Sequence, residues 1–186
     1  MKETKKGISW PPLIAGTLVK RYKRFLADVK LESGEIVTAH CANSGAMTGC
    51  AEPGRPVHIS FVDNPKRKLK YDWHLIEMPT SMVGVNTMVP NRLTALSIRN
   101  GLVPELSGYD SVKTEVKVGK SRLDLFLENQ NGVSCYVEVK NCTLVENGAA
   151  LFPDAVTARG KKHLEELQAL MKKGFRCAMF YLVQRM

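Results

Sequence analysis

Long apolar runs are missing from this chain. No stretch of its 186 residues approaches the roughly 18–20 uninterrupted apolar residues of a membrane-spanning helix. The basic N-terminus leads into "WPPLIAG", too short and proline-broken for a signal-peptide core. A membrane partner is therefore not expected. Paired cysteines are missing as well. The five present (Cys41, Cys50, Cys135, Cys142, Cys177) are odd in number and contain no C-x-x-C. Disulfide scaffolds and zinc sites lose most of their support, and a reducing, cytoplasmic setting fits. There is no repeat, no low-complexity tract and no Walker-type glycine spacing. The loop "HCANSGAMTG", with His40, Asn43, Ser44 and Gly45, thus has no assigned mechanism. Acidic charge is scarce: 18 Asp and Glu face 27 Lys and Arg, a formal charge of +9. Such an excess favours a polyanionic partner, although charge alone does not separate DNA, RNA and acidic membranes.

Hydrophobic content of 44% with 24% charged residues excludes wholesale disorder. The length suits one domain or two small ones. Residues 11–78 read as short strands: "LIAGTLVKRY", "RFLADVKLE", "IVTAHCA", "RPVHISFV" and "KLKYDWHLIEM", separated by turn chemistry such as "ESGE" and Asp63-Asn64-Pro65. Five closely spaced strands suggest a small OB-like barrel, with an open sheet as the alternative. Near residue 84 the pattern changes. "GVNTMVPNRLTALSIRNG" predicts a helix with Asn86 as N-cap, Leu93, Leu96 and Ile98 on its apolar face, and Asn100-Gly101 as its stop. Strand-like segments follow near 112–118, 122–128 and 134–140. A second helix is expected from Thr157 to Lys173, with Leu164, Leu167 and Met171 on one face and Asp154 as a charge at its start. "RCAMFYLVQ" reads as a final buried strand. The expected fold is α/β (α+β), with an N-terminal domain over 1–84 and a C-terminal α/β domain with a mixed sheet over 85–186.

Candidate chemistry sits in "SCYVEVKNCTL". Acid-x-Lys triplets are weak signals, and four occur: Glu3-Thr4-Lys5, Asp28-Val29-Lys30, Glu115-Val116-Lys117 and Glu138-Val139-Lys140. Most such triplets are alternating surface charges. Metal-dependent phosphodiester chemistry needs two carboxylates on one cation and a cationic group nearby. Only the fourth triplet has a well-placed upstream acid, Asp124 in "SRLDLFL", where Leu123, Leu125 and Leu127 are expected to share the opposite face. If Gln130-Asn131-Gly132 forms a three-residue loop, Asp124 falls opposite Glu138 and Gly132 takes a left-handed conformation. A two-residue Asn131-Gly132 turn would instead place Asp124 opposite Val139. We take the three-residue loop, which also groups Leu123, Leu125, Val137 and Val139. The competing reading of the cluster is a surface ion network.

Asp in one strand followed by Glu-x-Lys in the next resembles the core of the PD-(D/E)XK nuclease superfamily. The longer strings "SRLDLFLENQNGVSCYVEVKNCTL" and "ALFPDAVTARGKKHLEEL" resemble the sugar fermentation stimulation protein A (SfsA) family. "GTLVKRYKRFLADVKL", "TAHCANSGAM" and "NPKRKLKYDWHLIE" resemble it too, so the likeness spans nearly the whole chain. It implies an OB-like domain joined to a PD-(D/E)XK-like domain, DNA binding, and a link to regulation of sugar metabolism. The nuclease core would fall on Asp124, Glu138 and Lys140, with Glu115, on a strand rather than a helix, as a further acid. The family's members continue past "LVQR", so the resemblance implies a shortened form here.

Two functions follow. In the first, Asp124, Glu138 and the Val139 carbonyl hold Mg²⁺ or Mn²⁺ for phosphodiester hydrolysis assisted by Lys140. In the second, a non-catalytic DNA-binding regulator uses the nuclease-like fold as scaffold. RNA is the alternative ligand, and a homodimer is allowed for. The expected nucleic-acid contacts are Lys20, Arg21, Lys23 and Arg24 of "VKRYKRF", Lys66, Arg67 and Lys68 of "NPKRKLKYDW", and Arg122, Arg159 and His163. Two of these groups have a bland counterpart: solvated lysines around core Leu69, Tyr71 and Trp73, and an exposed helix flank for Arg159 and His163.

Overall fold

The computed structural model describes residues 2–4, 7–119, 121–153 and 158–185. Two short strands, β1 (Lys2–Thr4) and β2 (Gly7–Ser9), pair antiparallel at the start. The five strands expected next are β3 (Ile14–Tyr22), β4 (Leu26–Leu31), β5 (Ile36–Cys41), β6 (Pro56–Phe61) and β7 (Tyr71–Met78). They run in the order β5-β4-β3-β6-β7, and β7 returns to pair parallel with β5 through Ala39↔Tyr71 and Cys41↔Trp73. That last pairing closes the sheet into a five-stranded barrel and removes the open-sheet alternative. Period-two alternation does the sorting, placing Ala27, Val29, Val37, Ala39, Val57, Ile59 and Trp73 inside. Register shifts at Leu18/Lys20 and His58/Ile59 mark bulges that let strands bend around the small barrel. A sixth strand, β8 (Ser81–Gly84), extends from β7.

The C-terminal half begins with α1 (Val89–Arg99). Its N-cap is Met88. Asn86 instead forms the preceding turn, its Oδ1 accepting the Met88 N–H at 2.9 Å. The buried face is Val89, Thr94, Ala95 and Ile98, with Leu93 and Leu96 only half-buried, so the helix is rotated from the expected setting. After a 3₁₀ turn (Pro104–Leu106) come β9 (Ser111–Val118), β10 (Ser121–Glu128) and β11 (Ser134–Cys142). A small hairpin follows, β12 (Leu144–Glu146) with β13 (Ala149–Leu151), turning at Asn147-Gly148. Then come α2 (Ala158–Met171) and β14 (Arg176–Val183). The sheet order is β14-β11-β10-β9, mixed because β14 runs parallel to β11. α1 covers one face, packing Ala95 and Ile98 against Leu125, Leu127, Val137 and Val139. α2 covers the other with Leu167 and Leu170.

Three expectations change here. The buried stripe of α2 is His163, Leu167 and Leu170, whereas Leu164 and Met171 are 47% and 59% exposed. β14 is an edge strand with Tyr181 and Val183 exposed, not a fully buried one. Leu123 leaves the face it was assigned: it clusters with Leu167 and Leu170 on the α2 side, while Leu125 and Leu127 face α1. The strand changes faces at Asp124. Across the ladder, Glu115 has a left-handed φ of 56° where the pairing skips from Leu123↔Val116 to Leu125↔Thr114. Asp154 and Thr157 lie outside the described residues.

Candidate metal and nucleic-acid cleft

The β10–β11 loop sets the site. Asn129 and Val133 close a three-residue loop, the Asn129 N–H donating to the Val133 carbonyl at 3.0 Å. Gly132 takes φ 76°, which a side chain would strain. The Asn129 side chain braces the turn by accepting the Asn131 and Val133 N–H groups, both at 3.0 Å. The resulting register runs from Glu128↔Ser134 to Leu125↔Val137. Extended by one residue, it brings Asp124 to Glu138. There the ladder gives way: the Val139 N–H donates to the Asp124 carboxylate at 2.7 Å rather than to a backbone carbonyl.

Asp124, Glu138, Val139 and Lys140 line one cleft of about 800 Å³. Its opposite wall comes from the barrel, through Arg21, Arg24 and the Asn43–Ala46 loop; Pro90 and Asn91 of α1 and Arg159 of α2 complete it. Asp124 is held at both oxygens, by Val139 and by the Asn91 side-chain amide at 2.6 Å. Burial raises its pKa to about 6, the charge of Glu138 adds to the rise, and the Val139 N–H, Asn91 and Lys140 oppose it. Glu138 is almost completely buried. Its Oε1 accepts from Lys140 Nζ at 2.5 Å and contacts His163 Nδ1. Its Oε2 is buried with no hydrogen-bond partner among the described residues. A buried, unpaired carboxylate oxygen is costly and calls for a partner that donates positive charge.

The donor set fits a hard divalent cation. Two carboxylates line the cleft on either side of the β10–β11 ladder, and with the Val139 carbonyl they would offer oxygen donors of the type Mg²⁺, Mn²⁺ and Ca²⁺ prefer. Among the described residues no group of three or more His, Cys, Asp or Glu is arranged to hold a metal. Two carboxylates and a carbonyl would leave the remaining coordination positions of a divalent cation to water.

The other expected residues separate. Glu115 does not join the acids. It is exposed and pairs with Arg122 at 3.6 Å, because the left-handed kink turns it out of the cleft. His163 is buried against Glu138, where it orients the carboxylate and has no access to a phosphate. Arg21 lines the cleft, but its guanidinium donates to the carbonyls of Ala46 (3.2 Å), Asn43 (3.0 Å) and Gly45 (2.9 Å), bracing the "HCANSGAMTG" loop. Arg24 and Arg159 line the cleft and Lys23 is exposed beside Arg24. Lys20 is exposed and lies 3.6 Å from Asp28. Lys66 and Lys68 are exposed on the β6–β7 turn, outside the cleft, and Arg67 forms a bidentate pair with Asp72 at 2.9 and 2.6 Å. Asn91 was missed: no spacing in the sequence connects the first turn of α1 to a strand 33 residues later.

A closed OB barrel joined to a helix-flanked mixed sheet, with an acid–lysine cleft between them, defines a two-domain α/β protein. The chain belongs to the sugar fermentation stimulation protein family. Residues 88–186 match the family's "Sugar fermentation stimulation protein RE domain" and residues 19–85 its "SfsA N-terminal OB domain". The chain is 57% identical to the sugar fermentation stimulation protein homolog of Geotalea uraniireducens over 175 residues, covering 94% of this chain and 75% of the relative. It is likewise 57% identical to the homolog of Pelobacter propionicus over 176 residues, covering 94% and 76%. Among solved structures it resembles "The structure of Pyrococcus Furiosus SfsA in complex with Ca2+", with TM-score 0.85 and 28% identity over 96% of this chain and 74% of that one. No helix among the described residues is long and apolar enough to cross a membrane.

Proposed function

We propose that this chain binds DNA across the cleft and hydrolyses a phosphodiester there with Mg²⁺ or Mn²⁺. The observation that carries the reading is Glu138: a buried carboxylate with one unpaired oxygen, near enough to Asp124 to raise its pKa and tethered to Lys140. The Ca²⁺ complex of the Pyrococcus furiosus relative supports a divalent-cation site. Asp124, Glu138 and the Val139 carbonyl would hold the ion, which when bound supplies charge for polarising a phosphate and activating water. Asn91 and the Val139 N–H fix the Asp124 carboxylate, and His163 fixes Glu138, so both acids are set before any ligand arrives. Lys140 supplies a cation at the reacting phosphate. Arg24 and Arg159 offer phosphate contacts from opposite walls. A second reading, a non-catalytic DNA-binding regulator of sugar metabolism, is favoured by the Lys140 ammonium being engaged by the Glu138 carboxylate at 2.5 Å.

Incubation of single- and double-stranded DNA and RNA with Mg²⁺ or Mn²⁺ separates the two, alongside calorimetric titration of Mn²⁺. The nuclease reading expects cleavage by the wild type, loss of cleavage and of Mn²⁺ binding in Asp124→Ala, and loss of cleavage with Mn²⁺ binding kept in Lys140→Ala. Binding without cleavage of any substrate would favour the regulator.

A further inference from the structure

The hairpin between β3 and β4 carries a feature that the metal site does not use. Tyr22↔Leu26 is its last pair, leaving Lys23-Arg24-Phe25 as a three-residue tip. Lys23 (φ 47°) and Arg24 (φ 63°) are both left-handed. That conformation crowds a side chain against the backbone, and tight hairpins fill it with Gly, Asn or Asp. Here two long cations occupy it, and neither side chain makes a hydrogen bond or ion pair among the described residues. Backbone strain retained at a functional surface is a recurrent pattern. The third residue adds an aromatic ring. The Phe25 carbonyl is pinned to the barrel by the Cys41 N–H at 2.8 Å, yet the residue is 47% exposed. Arg24 reaches the wall of the cleft that holds Asp124 and Glu138.

We propose that this tip reads an unpaired nucleotide beside the acid cleft, so the preferred ligand is a single strand or a duplex with a single-stranded overhang. The inference rests on the DNA-binding reading above and adds the form of the nucleic acid. Lys23 and Arg24 neutralise successive phosphates, and the Phe25 ring stacks on the base between them. A base inside a duplex already has both faces stacked, so an exposed ring gains contact only from a base outside the helix. The left-handed pair leaves both cations exposed at the apex, where Gly or Asn would relieve the strain and supply no charge.

Fluorescence anisotropy in EDTA tests this with a fluorescein-labelled single strand, a blunt duplex and the same duplex bearing an overhang. The proteins compared are wild type, K23N/R24G and F25L. For K23N/R24G the thermal midpoint is expected to hold or rise, while the slope of log affinity against log salt for the single strand becomes shallower by about 1.4. For F25L, affinity for the single strand and the overhang is expected to fall by about 10-fold, with the blunt duplex unchanged. Unchanged single-strand binding in both variants, or an equal F25L loss on all three probes, overturns the tip's role while leaving DNA binding standing. A wild type that binds none of the probes overturns the DNA-binding reading and this inference with it.

Discussion

Glu138 and Asp124 illustrate how two carboxylates with the same chemistry acquire different settings. Glu138 is anchored by Lys140 and His163 on one oxygen; Asp124 is anchored by a backbone N–H and an amide. The pKa of Asp124, pushed up to about 6, has a consequence for stability without metal. Between its ordinary value and about 6, the folded protein keeps a proton that the unfolded chain has released. Its contribution to stability is therefore present at low pH and is lost as pH rises through about 6. In EDTA, thermal melts from pH 4 to 7 should show the midpoint difference between Asp124→Asn and wild type growing in favour of the variant as pH rises. A constant difference would contradict that sign. His163 acts through Glu138 rather than on the ligand. His163→Ala should weaken Mn²⁺ binding by about 10–100-fold, and His163→Gln should restore part of it; calorimetry reads both.

At the level of elements, the strands were readable because β-formers alternate and the turns, apart from the Lys23-Arg24-Phe25 tip, carry Gly, Asn or Pro. The barrel strands and the β10–β11 loop follow from such local signals. Helix faces were less readable. In "ARGKKHLEELQALM" two apolar stripes compete, one through Leu164 and Met171, the other through His163 and Leu170, and Leu167 is common to both. The second wins because His163 extends it to Glu138, a partner reached only through tertiary structure. Leu167→Ala should therefore cost about 2–5 kcal/mol in denaturant unfolding, and Leu164→Ala under about 0.5 kcal/mol. The kink that moves Leu123 to the α2 side was unreadable, since nothing in "SVKTEVKV" marks Glu115 as left-handed. The carboxylate pair could be placed from the hairpin, but Asn91 and the barrel wall of the cleft arise from packing between distant segments.

On the scale of the whole molecule, the excess of positive charge is distributed over both halves, and the cleft draws Arg21 and Arg24 from one and Arg159 from the other. DNA affinity should fall steeply between about 50 and 200 mM salt, measured by anisotropy in EDTA. Salt-independent binding would contradict a phosphate-based contact. The halves are fastened by late residues. Gly84 N–H donates to the Gln184 carbonyl at 3.1 Å, and Arg185 Nη1 donates to the Gly49 carbonyl at 3.0 Å. These ties give assembly a direction in time during synthesis. The barrel has all its strands once residue 78 is clear of the ribosome, and it can form first as a unit. Glu138 waits for α2 to bring His163 and for β14 to cover the outer edge of β11. The wall that carries Arg24 is thus complete about a hundred residues before the acids it faces are locked in place, and a ribosome stalled ahead of residue 176 would display a finished barrel beside an unassembled acid pocket.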